Sequence, residues 1–318
     1  MVDTIILLAA VLVFPGGLFV LALGLGLKGV DRRIAARLQR RVGPPLLQPF
    51  FDLVKLAGKR TLVPEDACAP VFLGAPLVGV VAMMVAAALI PIQGVYTPSP
   101  ILGDLLVLFY LMVVPAVVLM VAGSSSGSPY GAIGFSREMT MMLSYEVPIV
   151  LVVVAVALRT GMGQGDGITF SLTEIVHYQQ IHGAFLLDPA MWPAFLAFLA
   201  FLPANLGIAP FDIPEAETEV LEGPLLEYSG PALGLFKAMA AIKTVVVLSL
   251  GICLFLPNAP DGLAGLAVQI LKLLVVMTIG MTLLRVSLGR MRIDQGFAFF
   301  LKLPMALSIA GLAAAALV

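Results

Sequence analysis

Residues 231–256 read PALGLFKAMAAIKTVVVLSLGICLFL, and this stretch decides the fold class. Only two of its side chains are charged, Lys237 and Lys243. A helix of about 20 mostly apolar residues crosses the roughly 30 Å hydrocarbon core of a bilayer. The stretch therefore predicts a transmembrane helix.

Further stretches of the same kind lie on both sides of it, so the sequence predicts an all-α polytopic membrane protein with about eight spans in one domain. Of the 318 residues, 60% are hydrophobic and 12% are charged, whereas a soluble domain carries about 25% charged residues. With a net charge of −1, the chain has no overall basic field that would hold nucleic acid. The predicted spans are residues 4–27, 71–91, 101–122, 139–159, 191–209, 231–256, 263–286 and 300–318.

Basic residues set the expected orientation. Nine of them fall in the segment 28–68, and four more lie in 285–302. Because cytoplasmic loops of membrane proteins are enriched in Lys and Arg, both segments should face the cytoplasm. With eight spans, both chain termini then lie on the outer side.

The segment 210–230 is acidic and contains no Lys or Arg. One interpretation is a solvated loop. Pro210, Pro214 and Pro224 stiffen the segment, however, and apolar residues such as Phe211 suit free solvent poorly. We therefore favour a packed functional loop that meets the helix bundle and a basic or protonatable partner. Its acids are Asp212, Glu215, Glu217, Glu219, Glu222 and Glu227.

A second ordered element is predicted at residues 45–59. Gln48, Asp52, Lys55 and Lys59 recur at helical spacing and form one narrow polar stripe, while apolar residues cover the other faces. This pattern is typical of an amphipathic helix in the membrane interface. A plain surface anchor explains the pattern equally well.

Ionisable side chains inside predicted spans cost about 2.5–3.5 kcal/mol on insertion scales, so each one suggests a function. Glu146 lies in the fourth span and is expected about 12 Å from its cytoplasmic end. Lys243 and Lys272 lie near the middle of the sixth and seventh spans. Structural salt bridges between helices are the alternative, but several such groups together favour a buried hydrophilic path.

Two patterns that look chemical have simpler explanations. Cys68 and Cys253 are far apart and have no neighbouring metal-ligand motif, so no metal or cluster is expected in this chain. Gly24, Gly26 and Gly29 match a dinucleotide-binding pattern, but they end an apolar helix and do not link a strand to a helix.

Four blocks of sequence, in order over some 260 residues, resemble the signature blocks of membrane subunit 1 of respiratory complex I. This family supplies the heel subunit that joins the hydrophilic redox arm to the membrane arm. The blocks are Arg41-Val-Gly43-Pro44 with Gln48, Asp52 and Lys55; Ser144-Tyr145-Glu146-Val147; Pro210 to Glu217 with Glu227-Tyr228-Ser229-Gly230; and Arg290 to Gln295 with Lys302-Leu-Pro304.

Two departures narrow the resemblance. A single Arg-x-Gly-Pro at residues 41–44 leads directly to the Leu-Leu-Gln block, and Phe236-Lys237 lies where quinone-reducing members usually carry an acid–Tyr pair. Both differences resemble membrane-bound energy-converting nickel–iron hydrogenases and ferredoxin-dependent sulfur-reducing complexes. They argue against a quinone tunnel.

The resemblance implies a non-catalytic subunit that anchors the redox arm and couples electron transfer to H⁺ or Na⁺ translocation. Expected partners are a cluster-bearing small subunit, a large catalytic subunit, antiporter-like membrane subunits and the lipid bilayer. Iron–sulfur clusters, and in a hydrogenase the NiFe centre, belong to partners. The expected membrane is the cytoplasmic membrane of a prokaryote.

Residue roles follow from the same interpretation. The quinone-site subunit of a complex I is an alternative, and a stand-alone secondary transporter or a passive anchor are alternatives of another class. The expected proton and coupling residues are Glu146, Asp212, Glu215, Glu217, Glu222, Glu227, Lys243 and Lys272. The expected partner-docking residues are Arg41, Gln48, Asp52, Lys55, Arg290, Arg292 and Asp294.

Overall fold

The computed structural model describes residues 8–92, 94–98, 104–164, 167–260 and 262–317. The regular secondary structure in these ranges is helical, apart from two isolated β-bridges. The prediction of an all-α polytopic membrane protein is confirmed. The ends of three predicted spans, residues 4–7, 101–103 and 318, lie outside the described residues.

The helices follow the predicted spans, with different ends. Within the described ranges, seven helical segments are long and apolar enough to cross a membrane, and one apolar helix is shorter. The principal helices are α1 (Gly17–Leu38), α2 (Gln48–Ala57), α3 (Ala69–Ala88), α4 (Leu105–Ser125), α5 (Pro129–Gln164), α6 (Leu172–His182), α7 (Trp192–Asn205), α8 (Gly230–Phe255), α9 (Leu263–Ser287) and α10 (Ile293–Leu317).

Helix α8, which contains most of the stretch 231–256, is the centre of the bundle. It packs against α1, α2, α3, α7 and α9, and almost all of its residues from Ala238 onward are buried. A helix that is apolar on every face suits such a position, because it can bury its whole circumference. The core around it contains the fully buried rings of Phe72, Phe198 and Phe255.

Two helices are longer than the sequence predicted. Helix α1 continues eleven residues past the predicted end at 27, so Lys28 and Arg32 are helical and do not lie in a loop. Helix α5 begins at Pro129, ten residues before the predicted start at 139. Glu146 consequently lies 17 residues, about 26 Å, from the start of its helix, compared with the roughly 12 Å expected from the end of the predicted span.

Helix α7 is the shortest of the helices that correspond to predicted spans. The predicted span 191–209 forms a helix of 14 residues that ends at Asn205. A 3₁₀ turn at Pro189–Met191 precedes it, and Gly207 with φ +60° follows it. The last turn of α7 consequently lies inside the bundle, between α5, α10 and the acidic loop.

The glycines of the G-x-G-x-x-G pattern have packing roles. A Cβ on Gly24 would lie 2.3 Å from the carbonyl oxygen of Ala241, and one on Gly29 would lie 2.0 Å from that of Leu46. Gly26 faces open space. Two of the three glycines thus allow α8 and the segment before α2 to approach α1 closely, in agreement with the rejection of a dinucleotide site.

Candidate functional site

A charged cavity of about 250 Å³ lies among α1, α5, the end of α7, the acidic loop, α8 and α9. Four acids and four bases line it, so its formal charge is balanced when all are ionised. Apolar side chains such as Met239 and Leu119 complete the wall. The charged lining residues are Lys28, Asp31, Arg32, Glu138, Asp212, Glu215, Lys243 and Arg285.

Lys243 is the most buried base of this cavity, with 6% of its surface exposed. Its ammonium donates a 2.5 Å hydrogen bond to the backbone carbonyl of Asn205, the last residue of α7. The final carbonyls of a helix lack intrahelical partners and carry partial negative charge. The short helix α7 therefore supplies the acceptor that stabilises a cation at this depth.

Glu215 connects the acidic loop to the cavity. Burial, together with the nearby charge of Glu138, raises the pKa of Glu215 to about 7, although Lys28 and Lys243 act to lower it. A carboxyl with a pKa near 7 changes protonation easily at neutral pH. Glu215 is thus suited to take up or release a proton when the local charge changes.

The buried Asp31 and the partly exposed Arg285 form an ion pair at the edge of the cavity, with Nη2 and Oδ2 2.9 Å apart. The hydroxyl of Thr282 donates a 2.7 Å hydrogen bond to the other oxygen of Asp31. Thr282 belongs to a π-helical segment, Thr278–Leu283, within α9. Such segments are rare and occur frequently at functional sites.

The acidic loop is held to the bundle by contacts within the chain. Asp212 pairs with Arg290 at 2.8 Å, and Arg137 of α5 pairs with Glu219. The backbone amide of Met291 donates to the carbonyl of Pro210. The expectation of a packed loop is therefore correct, and several of its basic partners come from this chain.

The structure brings together three of the predicted coupling residues, Asp212, Glu215 and Lys243. Glu222 is exposed and Glu227 half-buried, and neither lines the cavity. The side chain of Glu217 lies outside the described residues. The five loop acids whose side chains are described thus differ in their surroundings, which the sequence alone did not show.

Glu146 and Lys272 lie away from the cavity. Glu146 is half-buried in α5, and its Oε1 has no hydrogen-bond partner in the part of the chain that the structure describes. The ammonium of Lys272 donates hydrogen bonds to the carbonyls of Leu256 and Asn258, just beyond the end of α8. Lys272 therefore binds helix-terminal carbonyls and does not share a cavity with Lys243.

The predicted interfacial helix is formed as α2. Gln48 donates a 3.0 Å hydrogen bond to Asp52, and Arg32 approaches the same carboxylate at 3.4 Å. The Gln48 hydrogen bond, with a further contribution from Arg32, lowers the pKa of Asp52. Within the polar stripe of α2, Asp52 therefore contacts Arg32 of α1, whereas Lys55 is exposed.

The other predicted docking residues are at the surface. Arg41 is exposed, and Arg292 lies 3.6 Å from Asp294 with both side chains more than half exposed. Arg290 is partly covered because it pairs with Asp212. These surface positions are accessible to a partner.

Sequence reasoning did not assign five charged cavity residues to the site, namely Lys28, Asp31, Arg32, Glu138 and Arg285. Glu138 was excluded because the fourth span was predicted to start at 139. The pair Ser128-Pro129 could have indicated the true start of this helix, because Ser followed by Pro in the first helical position is typical of a helix N-terminus. Among the described residues, no group of His, Cys, Asp and Glu is arranged to hold a metal ion.

The fold and the cavity define a class: a polytopic helical membrane protein with a balanced set of charges that line a cavity beneath an ordered acidic loop. The model of the NADH dehydrogenase family matches residues 8–316, nearly the whole chain. The chain belongs to the NADH dehydrogenase subunit 1 family.

Relatives within the family fall into two groups. Formate hydrogenlyase subunit 4 of Escherichia coli K12 is 34% identical over 275 residues, which cover 84% of this chain and 86% of that protein. A subunit of the NADH-quinone oxidoreductase of Thermomicrobium roseum is 33% identical over 312 residues, which cover 89% of this chain and 88% of that protein.

A solved structure shares the fold. It is a chain of the membrane-bound sulfane sulfur reductase, an archaeal respiratory membrane complex, and superimposes with a TM-score of 0.87 at 29% identity. The match covers 99% of this chain and 100% of that one. The chain is accordingly a membrane subunit of a redox complex of this kind.

Proposed function

We propose that the chain anchors the redox arm of a ferredoxin-dependent hydrogenase or sulfane reductase and couples electron transfer to H⁺ or Na⁺ movement. The balanced charged cavity beneath the acidic loop is the observation that carries this proposal. A change of charge on the acidic loop acts directly on the charged residues of the helices that line this cavity. The chain itself has the role of a coupling subunit, not of the catalyst.

The proposed relay starts at the acidic loop. Glu215 belongs to the loop and lines the cavity, and its pKa of about 7 lets it gain or lose a proton near neutral pH. A change in its charge alters the field at Lys243 and Glu138, because charges in a poorly solvated site interact strongly. Lys243 and Glu138 belong to helices, which transmit the perturbation across the bundle.

Glu146 has a separate part in this proposal. It lies eight residues, about 12 Å, beyond Glu138 on the same helix and outside the cavity. An unpaired carboxylate oxygen inside a membrane helix is costly unless it is protonated or meets a partner. We assign it proton exchange toward a neighbouring membrane subunit.

The proposed partners are a cluster-bearing small subunit, a large catalytic subunit and antiporter-like membrane subunits. Iron–sulfur clusters, and in a hydrogenase the NiFe centre, belong to those partners. The proposed location is the prokaryotic cytoplasmic membrane, with both termini on the outer side. The exposed docking positions Arg41, Lys55, Arg292 and Asp294 are consistent with a hydrophilic arm bound on the loop side.

The test compares pumping with electron transfer in the intact complex. Glu138→Gln, Glu146→Gln and Glu215→Gln keep the shape of each side chain but remove its charge. We expect ferredoxin-driven electron transfer to persist in detergent, while ion uptake into proteoliposomes falls at least about tenfold, the effect of about 1.4 kcal/mol on a rate.

Glu174→Gln is the matched control, because Glu174 is exposed and lies in α6, away from the cavity. This variant should pump normally. Normal pumping and normal electron transfer in all three test variants would remove the coupling role and favour a passive anchor. Ion transport by the purified chain without partners would favour a stand-alone transporter.

A quinone-site subunit is the second candidate, because several relatives are subunits of NADH-quinone oxidoreductases. Ligand pockets are mostly apolar with few polar groups, whereas eight charged residues line this cavity. A quinone analogue that competes with electron transfer, and loses its effect in Lys243→Met, would favour this alternative.

A further inference from the structure

We propose that a groove between the C-terminal end of α1 and the segment leading into α2 binds one anionic phospholipid. Its walls come from two parts of the chain, a helix and an irregular segment. The groove, called here the lipid groove, is lined by Val30, Arg33, Ile34, Arg37, Leu38 and Leu46. A second hollow, which adds Leu47 and Phe51, adjoins it across Arg33 and Leu46.

The groove exists because two backbones approach closely on one side of it. Gly29 lets the carbonyl of Leu46 lie where a Cβ would stand, 2.0 Å from its ideal position. Helix α1 then continues to Leu38 beside the returning chain. The hollows have volumes of about 320 and 590 Å³, enough for parts of an amphiphile and far more than a single ion needs.

The charge of the groove is positive and unpaired. Arg33 and Arg37 are exposed and are one turn apart on α1, and the side chain of neither has an ion-pair or hydrogen-bond partner in the described ranges. Neighbouring Arg32, in contrast, pairs with Asp52. Side chains at i and i+4 of a helix lie about 5–6 Å apart at Cβ. Two guanidinium groups at that spacing can bind one phosphate together.

The walls of the groove are apolar. Leu38 is 47% exposed, Leu47 57% and Phe51 59%, so about half of each of these apolar side chains is open at the surface. They lie where the apolar part of α1 gives way to a run of arginines, as at a membrane boundary. An anionic head group with attached acyl chains satisfies both the arginines and these walls. If only a free anion bound to the arginines, the apolar walls of the groove would remain exposed to water.

Native mass spectrometry of the purified complex tests this proposal. Phosphatidylglycerol is titrated in detergent against wild type, Arg37→Gln, the double variant Arg33→Gln/Arg37→Gln and the control Arg40→Gln. Arg40 is exposed, carries the same charge and lies outside both hollows. Lipid retention is measured without any assay of coupling, so it stands apart from the proposed function.

The double variant should bind phosphatidylglycerol about 30-fold more weakly, since each basic side chain near an anionic lipid contributes about 1 kcal/mol. The single variant should lose about fivefold by the same conversion. Arg40→Gln should match wild type. Circular dichroism and size-exclusion chromatography check that each variant is folded. If the double variant does not fold, the comparison of Arg37→Gln with Arg40→Gln tests the proposal.

Three results would overturn the proposal. The first is unchanged phosphatidylglycerol affinity in folded variants. The second is a result showing that an anionic lipid is not needed: either phosphatidylcholine binds as tightly as phosphatidylglycerol, or inorganic phosphate displaces the bound lipid. The third is protection of a Leu46→Cys thiol from labelling in a lipid-depleted complex, which would indicate a covering polypeptide.

Discussion

Lys243, in the middle of the most buried helix, donates its hydrogen bond to the backbone carbonyl of Asn205, where α7 ends inside the bundle. A short helix thus provides the acceptor for a buried cation. Because α7 ends at Asn205, its terminal carbonyl, which has no intrahelical partner, is available to the Lys243 ammonium. The hydrogen bond also ties a lysine of α8 to the cavity that contains Glu215.

Lys243→Met should raise the pKa of Glu215 above its value of about 7, because the Lys243 charge acts to lower that pKa. The measurement is a pH titration of the infrared band of the protonated carboxyl, assigned by its loss in Glu215→Gln. Lys237→Met is the control, since Lys237 is exposed on the same helix. An unchanged or lowered pKa in Lys243→Met would contradict the electrostatic contact.

The stability of the folded chain should depend on pH through Glu215. Its pKa rises from 4.5 in the unfolded chain to about 7 in the fold. The folded state therefore holds the proton more tightly, and its contribution to stability is complete below pH 4.5 and is lost as pH rises through about 7. Thermal unfolding of wild type and Glu215→Gln between pH 4 and 8 measures this difference. Parallel curves for the two proteins would show that Glu215 is not the titrating group.

Gly29→Ala should destabilise the fold by about 1–3 kcal/mol, as overpacking does. The new methyl group meets the carbonyl of Leu46, a backbone atom that cannot rotate away. Gly26→Ala is a matched control three residues earlier on α1, where nothing lies within 4 Å of an added Cβ. Equal unfolding temperatures for both variants would mean that α2 does not depend on this close approach.

The ion pair of Asp212 and Arg290 should show a coupling free energy of about 0.5–1 kcal/mol in a double-mutant cycle. Arg290 is 40% exposed, so solvent weakens the attraction, while the Asp212 side chain is only 14% exposed. The cycle compares Asp212→Asn, Arg290→Gln and their combination by thermal unfolding of the complex. Strict additivity would indicate that the acidic loop and the segment before α10 are held together by other contacts.

Much of this protein follows from its sequence alone. Long apolar runs predict membrane helices whatever their neighbours, because backbone hydrogen bonds must be satisfied locally in lipid. The amphipathic helix α2 and the packed acidic loop were predictable for similar reasons, since the pattern of polar and apolar side chains along a short segment dictates which faces are buried. Asp212, Glu215 and Lys243 were identified as rare charges in apolar or stiff surroundings.

Tertiary structure alone decided which charges meet. In the sequence, Glu146 and Lys272 are charged residues within apolar stretches, just as Lys243 is. The structure nevertheless places Glu138 and Asp31, and not Glu146 and Lys272, in the cavity lining. The partners of these groups come from helices far apart in the chain: Asp31 and Arg285 are paired across 254 positions, and Asn205 meets Lys243 across 38. Such contacts depend on helix rotation, on where a helix ends and on close approaches such as that of Gly29 to Leu46, none of which a local pattern encodes.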